Sequence, residues 1–269
     1  MFRGKLSTVG ASFAVCATAL FVAGCANNEV DKTANWSPNR IYSEAQDSVS
    51  DGAYDKAVPL YEKLEGRAAG TPLAQQAELD KAYAQFKSGE KVQAVATLDR
   101  FIKLHPASPA VDYALYLKGV VNFNDDLGML SFLTRQDLSE RDQKAAKESF
   151  AAFKELVTRF PDSRYTPDAR QRMNYIVNSL AQYEVHVARY YYTHGAYLAA
   201  INRAQIALQD YREVPALEEA LYIMVRSYDK LGMTDMRDDT QRVLTANYPQ
   251  SQYLSKGFRS KDDPWWKIW

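Results

Sequence analysis

The sequence predicts an all-α protein, a right-handed α-solenoid of about five helix-pair repeats and ten helices. Three observations carry this expectation. From Pro38 onward apolar residues recur at helical spacing, with no sustained two-residue alternation of the kind a sheet needs. A turn signal then repeats. Gly52-Ala-Tyr-Asp-Lys-Ala57 is followed 37 residues later by Gly89-Glu-Lys-Val-Gln-Ala94, and Gly195-Ala-Tyr-Leu-Ala-Ala200 is followed 37 residues later by Gly232. Finally, Pro106, Pro161 and Pro249 each open a Pro-x-Ser and sit 17 residues after Gly89, Lys144 and Gly232.

This pattern resembles the tetratricopeptide repeat, a helix-turn-helix unit of about 34 residues. The glycine ends the first helix in a left-handed conformation, and the proline stops the second helix. Small residues at Ala45, Ala82, Gly119 and Ala188, and again at Ala57, Ala94 and Ala200, let paired helices approach closely. Ser37-Pro38, Thr71-Pro72, Ser108-Pro109 and Thr166-Pro167 each offer an N-cap followed by proline at the first helical position. Repeats 3 and 5 fit less well, because Ser149 and Arg237 stand where alanine is usual. Two features interrupt the period. An insertion over 124–141, containing Gly128, Met129, Leu130, Phe132 and Leu133, reads as a loop covering the core or as a docking loop. A long helix from about Pro167 to Thr193 keeps Met173, Ile176, Val177, Leu180, Tyr183, Val187 and Tyr190 at helical spacing. It would join repeats 1 to 3 (38–166) to repeats 4 and 5 (167–254).

The N-terminus reads as a targeting segment. Arg3 and Lys5 precede a short apolar run that closes in Val22-Ala23-Gly24-Cys25. The run is too short to span a bilayer comfortably. Its end resembles the bacterial lipobox, which implies a signal peptide over 1–24, an acylated Cys25 and a polar tether over 25–37. Ala26, rather than Asp, resembles the rule for sorting to the outer membrane. Several acyl chains exceed what stable anchoring requires. With Cys16 removed and Cys25 lipidated, no cysteine is left for a disulfide, a thiolate metal site or a thiol nucleophile. Loss of Arg3 and Lys5 leaves a mature charge of about −2, which argues against nucleic acid.

No catalytic chemistry is expected. His105, His186 and His194 lack a third ligand at metal spacing, and no nucleophile elbow, Walker loop or dinucleotide fingerprint is present. Acidic residues interleave with Lys and Arg as solvated helix faces do. The reading is therefore a binding protein, not an enzyme, with no cofactor and no metal.

Solenoids of this kind bind on the surface made by the first helix of each pair. Counted back from the turns, the N-terminal half offers Asn39, Tyr42, Gln46, Gln76, Tyr83, Phe86, Lys87, Tyr113, Tyr116, Phe123 and Asn124. Aromatic rings among hydrogen-bonding heads suit an extended or aromatic-ended peptide. The C-terminal half instead offers Arg189, Arg203, Arg226 and Lys230, a face suited to an acidic partner. The segment 255–269 ends in Pro264-Trp-Trp-Lys-Ile-Trp269, whose three tryptophans call for a bilayer interface or a partner. A sharper reading is that it imitates the aromatic end of a barrel strand and competes for the groove.

Specific strings go beyond a generic repeat: Asp99-Arg-Phe-Ile-Lys-Leu-His-Pro106, Asp112-Tyr-Ala-Leu-Tyr-Leu-Lys-Gly119, Phe160-Pro-Asp-Ser-Arg-Tyr165, Tyr190-Tyr191 before Gly195-Ala-Tyr, and Ile201-Asn-Arg203. On these the chain resembles the BamD (ComL) family of the outer-membrane β-barrel assembly machinery. The resemblance covers roughly residues 20 to 255. It implies a lipid-anchored scaffold at the periplasmic face of the outer membrane. The N-terminal half would receive unfolded barrel precursors, and the C-terminal half would dock the periplasmic domain of a BamA-type barrel subunit and other lipoproteins. Arg203 matches the family's Asn-Arg position on the docking half, with Arg189, Arg226 and Tyr191 beside it. A pilotin-type repeat lipoprotein serving a secretin is the alternative. An envelope hydrolase or enzyme adaptor is a more distant one.

Overall fold

A computed structural model describes residues 32–123 and 140–258. Among them are eleven helices and no strand. Ten form five successive pairs: α1 (Pro38–Ser50) with α2 (Tyr54–Arg67), α3 (Pro72–Lys87) with α4 (Lys91–Leu104), α5 (Val111–Asn122) with α6 (Glu140–Arg159), α7 (Thr166–Thr193) with α8 (Tyr197–Asp210), and α9 (Ala216–Lys230) with α10 (Thr234–Asn247). A five-residue α11 (Gln252–Lys256) follows. Each of the ten paired helices packs on the next in the chain, α7 also packs on α9, and α11 touches α9. The expected all-helical repeat architecture is therefore the observed one.

The turn glycines behave as their spacing requires. Gly52, Gly89, Gly195 and Gly232 all lie at positive φ, between 70 and 90 degrees, where a side chain would be strained. Gly119 serves a different purpose. It sits inside α5 against the Phe153 ring of α6, and an added Cβ would lie 2.4 Å from that ring. The carbonyl of Gly119 accepts a 2.8 Å hydrogen bond from the fully buried Ser149 hydroxyl. The serine that departs from the repeat pattern thus bonds the backbone of the neighbouring helix.

Two of the four expected caps form. Ser37 Oγ accepts from Arg40 N–H, and Thr71 Oγ1 accepts from Ala74 N–H. The other two do not. α5 starts only at Val111; the Ser108 oxygen accepts from Ala110 N–H at 3.4 Å while its hydroxyl donates to Gln75 Oε1 at 3.0 Å. Thr166 lies inside α7, and its hydroxyl donates to the Phe160 carbonyl. Two of the three Pro-x-Ser serines work as ties, and the third, Ser251, caps α11. Ser108 reaches α3, and Ser163 donates to Asp112 on α5 at 2.7 Å.

The core follows the repeats. Ile41, Ala45, Ala57, Tyr61 and Leu64 fill the first pair. Leu98, Phe101, Leu115, Phe153, Leu156 and Ile176 fill the middle. Val185, Ala188, Ile201, Ile223 and Tyr228 fill the fourth and fifth pairs. α7 enters both of the last two clusters. Its 28 residues, about 42 Å long, therefore join the two halves. No helix among the described residues is long and apolar enough to cross a membrane.

The residues before α1 are part of the fold. Thr33 is buried, and Arg67 at the end of α2 donates to the carbonyls of Thr33 and Trp36. The Arg40 guanidinium covers the Trp36 ring at 4.5 Å. Of the expected tether, residues 33–36 are clamped to the first repeat.

Candidate functional site

Among the first helices, two tyrosine-carboxylate contacts bridge neighbouring repeats, one from α1 to α3 and one from α5 to α7. At the N-terminal end the centre is Asp80 on α3. Tyr42 on α1 donates its hydroxyl to Asp80 Oδ2 at 3.1 Å, Gln46 Nε2 donates to the same oxygen at 3.1 Å, and Gln76 Nε2 donates to Oδ1 at 2.9 Å. Gln46 also reaches the Tyr61 hydroxyl at 3.0 Å. Burial pushes the Asp80 carboxyl above its ordinary value, against the pull of the three donors. Burial also pushes the nearby Tyr113 hydroxyl up to about 12, with the Asp80 charge adding to it. This hydroxyl is therefore a neutral donor or acceptor at any physiological pH.

Further along, Tyr116 on α5 donates to Asp168 on α7 at 2.8 Å, and Arg172 donates to the same carboxylate oxygen at 2.7 Å. Burial works to raise the Asp168 pKa, but these two hydrogen bonds outweigh it and the carboxyl sits below the usual range. Tyr165 stacks on Tyr116 at 4.7 Å and tilts against Tyr113 at 5.6 Å. The Arg172 guanidinium lies over Phe123. Tyr83 meets Tyr54 edge-on, Phe86 packs half-buried on the core, and Lys87 is exposed at the end of α3. The structure thus brings Tyr42 and Gln46 into one cluster and Tyr113 and Tyr116 into another.

Asp80, Tyr61, Tyr165 and Asp168 were not anticipated. Asp80 reads as an ordinary surface charge, since the sequence does not show that burial and three donors converge on it. Its place one turn from Gln76 and Tyr83 on α3 was the available signal.

Three arginines of the other half are matched internally, and Lys230 is exposed at the end of α9. Arg189 on α7 forms a two-pronged pair with the buried Glu219 of α9. Arg203 on α8 donates to Glu184 Oε2 on α7 at 3.0 Å, and that carboxylate is 8% exposed. Arg226 lies 4.0 Å from Asp229. Tyr191 is half-buried beside Tyr190. At Arg189 and Arg203 the face is therefore an arginine edge backed by a buried acid, with less free positive charge than the sequence suggests.

The segment after α10 turns back across this surface. Tyr253 donates to Glu219 at 3.0 Å and stacks on Tyr222, and Phe258 packs on Tyr192 and Tyr222. Cys25, residues 124–139 of the expected insertion over 124–141, including Asn124, and the tryptophans at 265, 266 and 269 lie outside the described residues.

A family model described as YfiO, outer membrane lipoprotein, matches residues 34–244. The chain belongs to that family. The family covers all ten paired helices except the last turn of α10. Among curated relatives, the outer membrane protein assembly factor BamD of Neisseria meningitidis serogroup B is 45% identical over 262 residues, 97% of each chain. BamD of Vibrio cholerae is 33% identical over 224 residues, covering 83% of this chain and 92% of its own. Among solved structures, nearly identical tetratricopeptide-like repeats from Podosopora anserina match with a TM-score of 0.35 and 15% identity, covering 80% of this chain and all of that one.

Proposed function

We propose that this protein is a non-catalytic scaffold for assembly of outer-membrane β-barrel proteins, held at the periplasmic face of the outer membrane by an acylated Cys25. The observation that carries the reading is the 45% identity, over 97% of both chains, to an outer membrane protein assembly factor. The tyrosine-carboxylate contacts are consistent with it. Half-buried rings at Tyr42, Tyr83, Phe86, Tyr113 and Tyr116 offer apolar faces to an extended precursor. Gln46, Asp80, Lys87 and Asp168 offer hydrogen-bonding heads for its backbone. The partner-docking half is assigned to Arg203, Arg189, Arg226 and Tyr191, facing the periplasmic domain of a BamA-type barrel subunit. Other lipoproteins of the machinery are further candidate partners. No nucleotide or other cofactor enters this mechanism, and the driving free energy is that of precursor folding and insertion.

The test is purification of the native lipoprotein from outer membranes in gentle detergent, with mass spectrometry of what accompanies it. A stoichiometric barrel protein with periplasmic repeat domains is expected. A secretin in its place would transfer the protein to the pilotin class, and recovery alone would count against stable docking.

A further inference from the structure

Successive paired helices pack on one another and alternate in direction, so their ends fall on two edges of the array. One edge holds the turns inside each pair. The other holds the loops between pairs, and side-chain ties mark it. Arg67 at the end of α2 reaches Thr33 and Trp36 before α1, Ser108 after α4 reaches Gln75 in the first turn of α3, and Ser163 after α6 reaches Asp112 in the first turn of α5. In repeats 1 to 3 this inter-repeat edge is basic. Its loops and the helical turns adjoining them expose Lys32, Arg40, Arg67, Lys103, Arg159 and Arg164, against one exposed acid, Asp162. Taken the same way, the opposite edge of repeats 1 and 2 exposes more acids, Asp47, Asp51, Asp55 and Glu90, than bases. Three guanidinium groups of the basic edge lie over aromatic rings of that edge: Arg40 over Trp36 at 4.5 Å, Arg159 over Phe160 at 5.2 Å and Arg164 over Tyr165 at 4.7 Å. Leu104 ends α4 with 61% exposure, beside an open hollow of about 650 Å³ lined by Pro72, Pro106 and Pro109.

We infer that the inter-repeat edge of repeats 1 to 3 rests on an anionic phospholipid surface. Charge complementarity is the first reason. Cations strung along one edge, rather than gathered into a pocket, suit a plane of headgroup phosphates. The second is the pairing of guanidinium with ring. Aromatic rings favour the headgroup level of a bilayer, and arginine keeps its charge at the phosphates while its stem lies on apolar surface. Leu104 adds an apolar side chain at the same level. The third is continuity. The chain enters the fold at Thr33–Trp36, on this edge, so a lipid on Cys25 brings this edge, and not the acidic one, to the bilayer. Only the third reason rests on the anchoring proposed above. The acyl chains hold the protein, and the basic edge sets which way it faces. The basic character stops at repeat 4, where Asp210, Arg212 and Glu213 mix signs at the end of α8 and in the loop after it. Repeats 1 to 3 therefore lie on the lipid, and the half carrying Arg189 and Arg203 is left clear for a protein partner.

The test places a fluorescent amino acid at Leu104 or, on the opposite edge, at Asp51 of the native lipoprotein; both positions are exposed. The protein is reconstituted on vesicles of phosphatidylcholine with phosphatidylglycerol, doped with a lipid carrying a nitroxide on its headgroup. Quenching should be strong at 104 and weak at 51. The contrast should vanish on pure phosphatidylcholine and in high salt. Each basic residue at such a surface strengthens docking about fivefold, so Arg40→Glu, Lys103→Glu and Arg164→Glu together should shift the ratio of docked to undocked protein at least about a hundredfold and bring quenching at 104 down to that at 51. An unchanged melting temperature by circular dichroism shows that the triple variant keeps its fold. Equal quenching at the two positions in the parent, or a contrast indifferent to phosphatidylglycerol, would overturn the inference. Shielding of position 104 only while a copurified protein is present would overturn it in favour of an acidic partner. Flotation with the vesicles in high salt reports the acyl anchor separately. Loss of flotation there, with the low-salt contrast kept, would overturn the anchoring and uphold the edge; flotation without the contrast would do the reverse.

Discussion

Gly119 and Gly66 respond oppositely to an added methyl group. Gly66 lies in α2 with ordinary helical geometry and open space around it. Gly66→Ala should therefore stabilise the protein by about 0.5–1 kcal/mol through helix propensity. Gly119→Ala gains the same propensity but drives a Cβ into Phe153, and overpacking of this kind costs about 1–3 kcal/mol. Urea unfolding should move the two midpoints in opposite directions, and Phe153→Leu should recover part of the Gly119→Ala loss. The sequence marks Gly119 as a small-residue position but does not say what it faces. Asp80 makes a pH prediction. Its folded pKa is raised, so the folded state holds the proton more tightly than the unfolded state. Its contribution to stability therefore falls as pH rises from about 4, the unfolded value, through the folded one. Urea midpoints taken across that window should decline less with pH in Asp80→Asn than in the parent; parallel slopes would remove Asp80 as the cause.

At the scale of elements, the α7–α8 contact separates stability from docking. Arg203 is 39% exposed, but the Glu184 carboxylate it binds is buried. Arg203→Glu would place two carboxylates together, so it would report on folding as well as on partner capture. Arg203→Ala strands Glu184 and should cost about 1–3 kcal/mol. Adding Glu184→Gln should restore much of that loss. If Arg203 docks the barrel subunit, the double variant keeps its melting temperature near the parent's yet loses co-purification; a double variant that still co-purifies would remove Arg203 from the docking site. Most elements were legible because their determinants are local. A left-handed turn needs glycine at 52, 89, 195 and 232, and the long periodic run over α7 can be little else but a helix. The caps at Ser108 and Thr166 were misread because the partners of their hydroxyls, Gln75 on α3 and the Phe160 carbonyl just past α6, are not visible in local sequence. The clamp at Thr33–Trp36 and the fold-back of Tyr253 and Phe258 were invisible for the same reason. Short segments without periodicity take their conformation from tertiary partners. The arginines were visible as charges, whereas their buried acids at 184 and 219 were not.

For the molecule as a whole, cohesion depends on α7. Repeat arrays gain stability from neighbour to neighbour, so a break in one shared helix divides the array. Gln182 is exposed near the middle of α7, between residues of the middle core and those of the C-terminal core. Gln182→Pro should cost about 3 kcal/mol or more locally and turn one thermal transition into two. A single lowered transition by circular dichroism would mean that the α7–α9 contact holds the halves together without the helix. The Arg67 clamp has a consequence at this scale too. With Cys25 acylated as proposed, residues 26–32 separate the anchor from the clamped Thr33, a span of at most about 23 Å. A body on so short a leash cannot search the depth of the compartment beside it. It meets its neighbours by lateral diffusion in a shallow layer, so their areal density, not their bulk concentration, sets how often they collide.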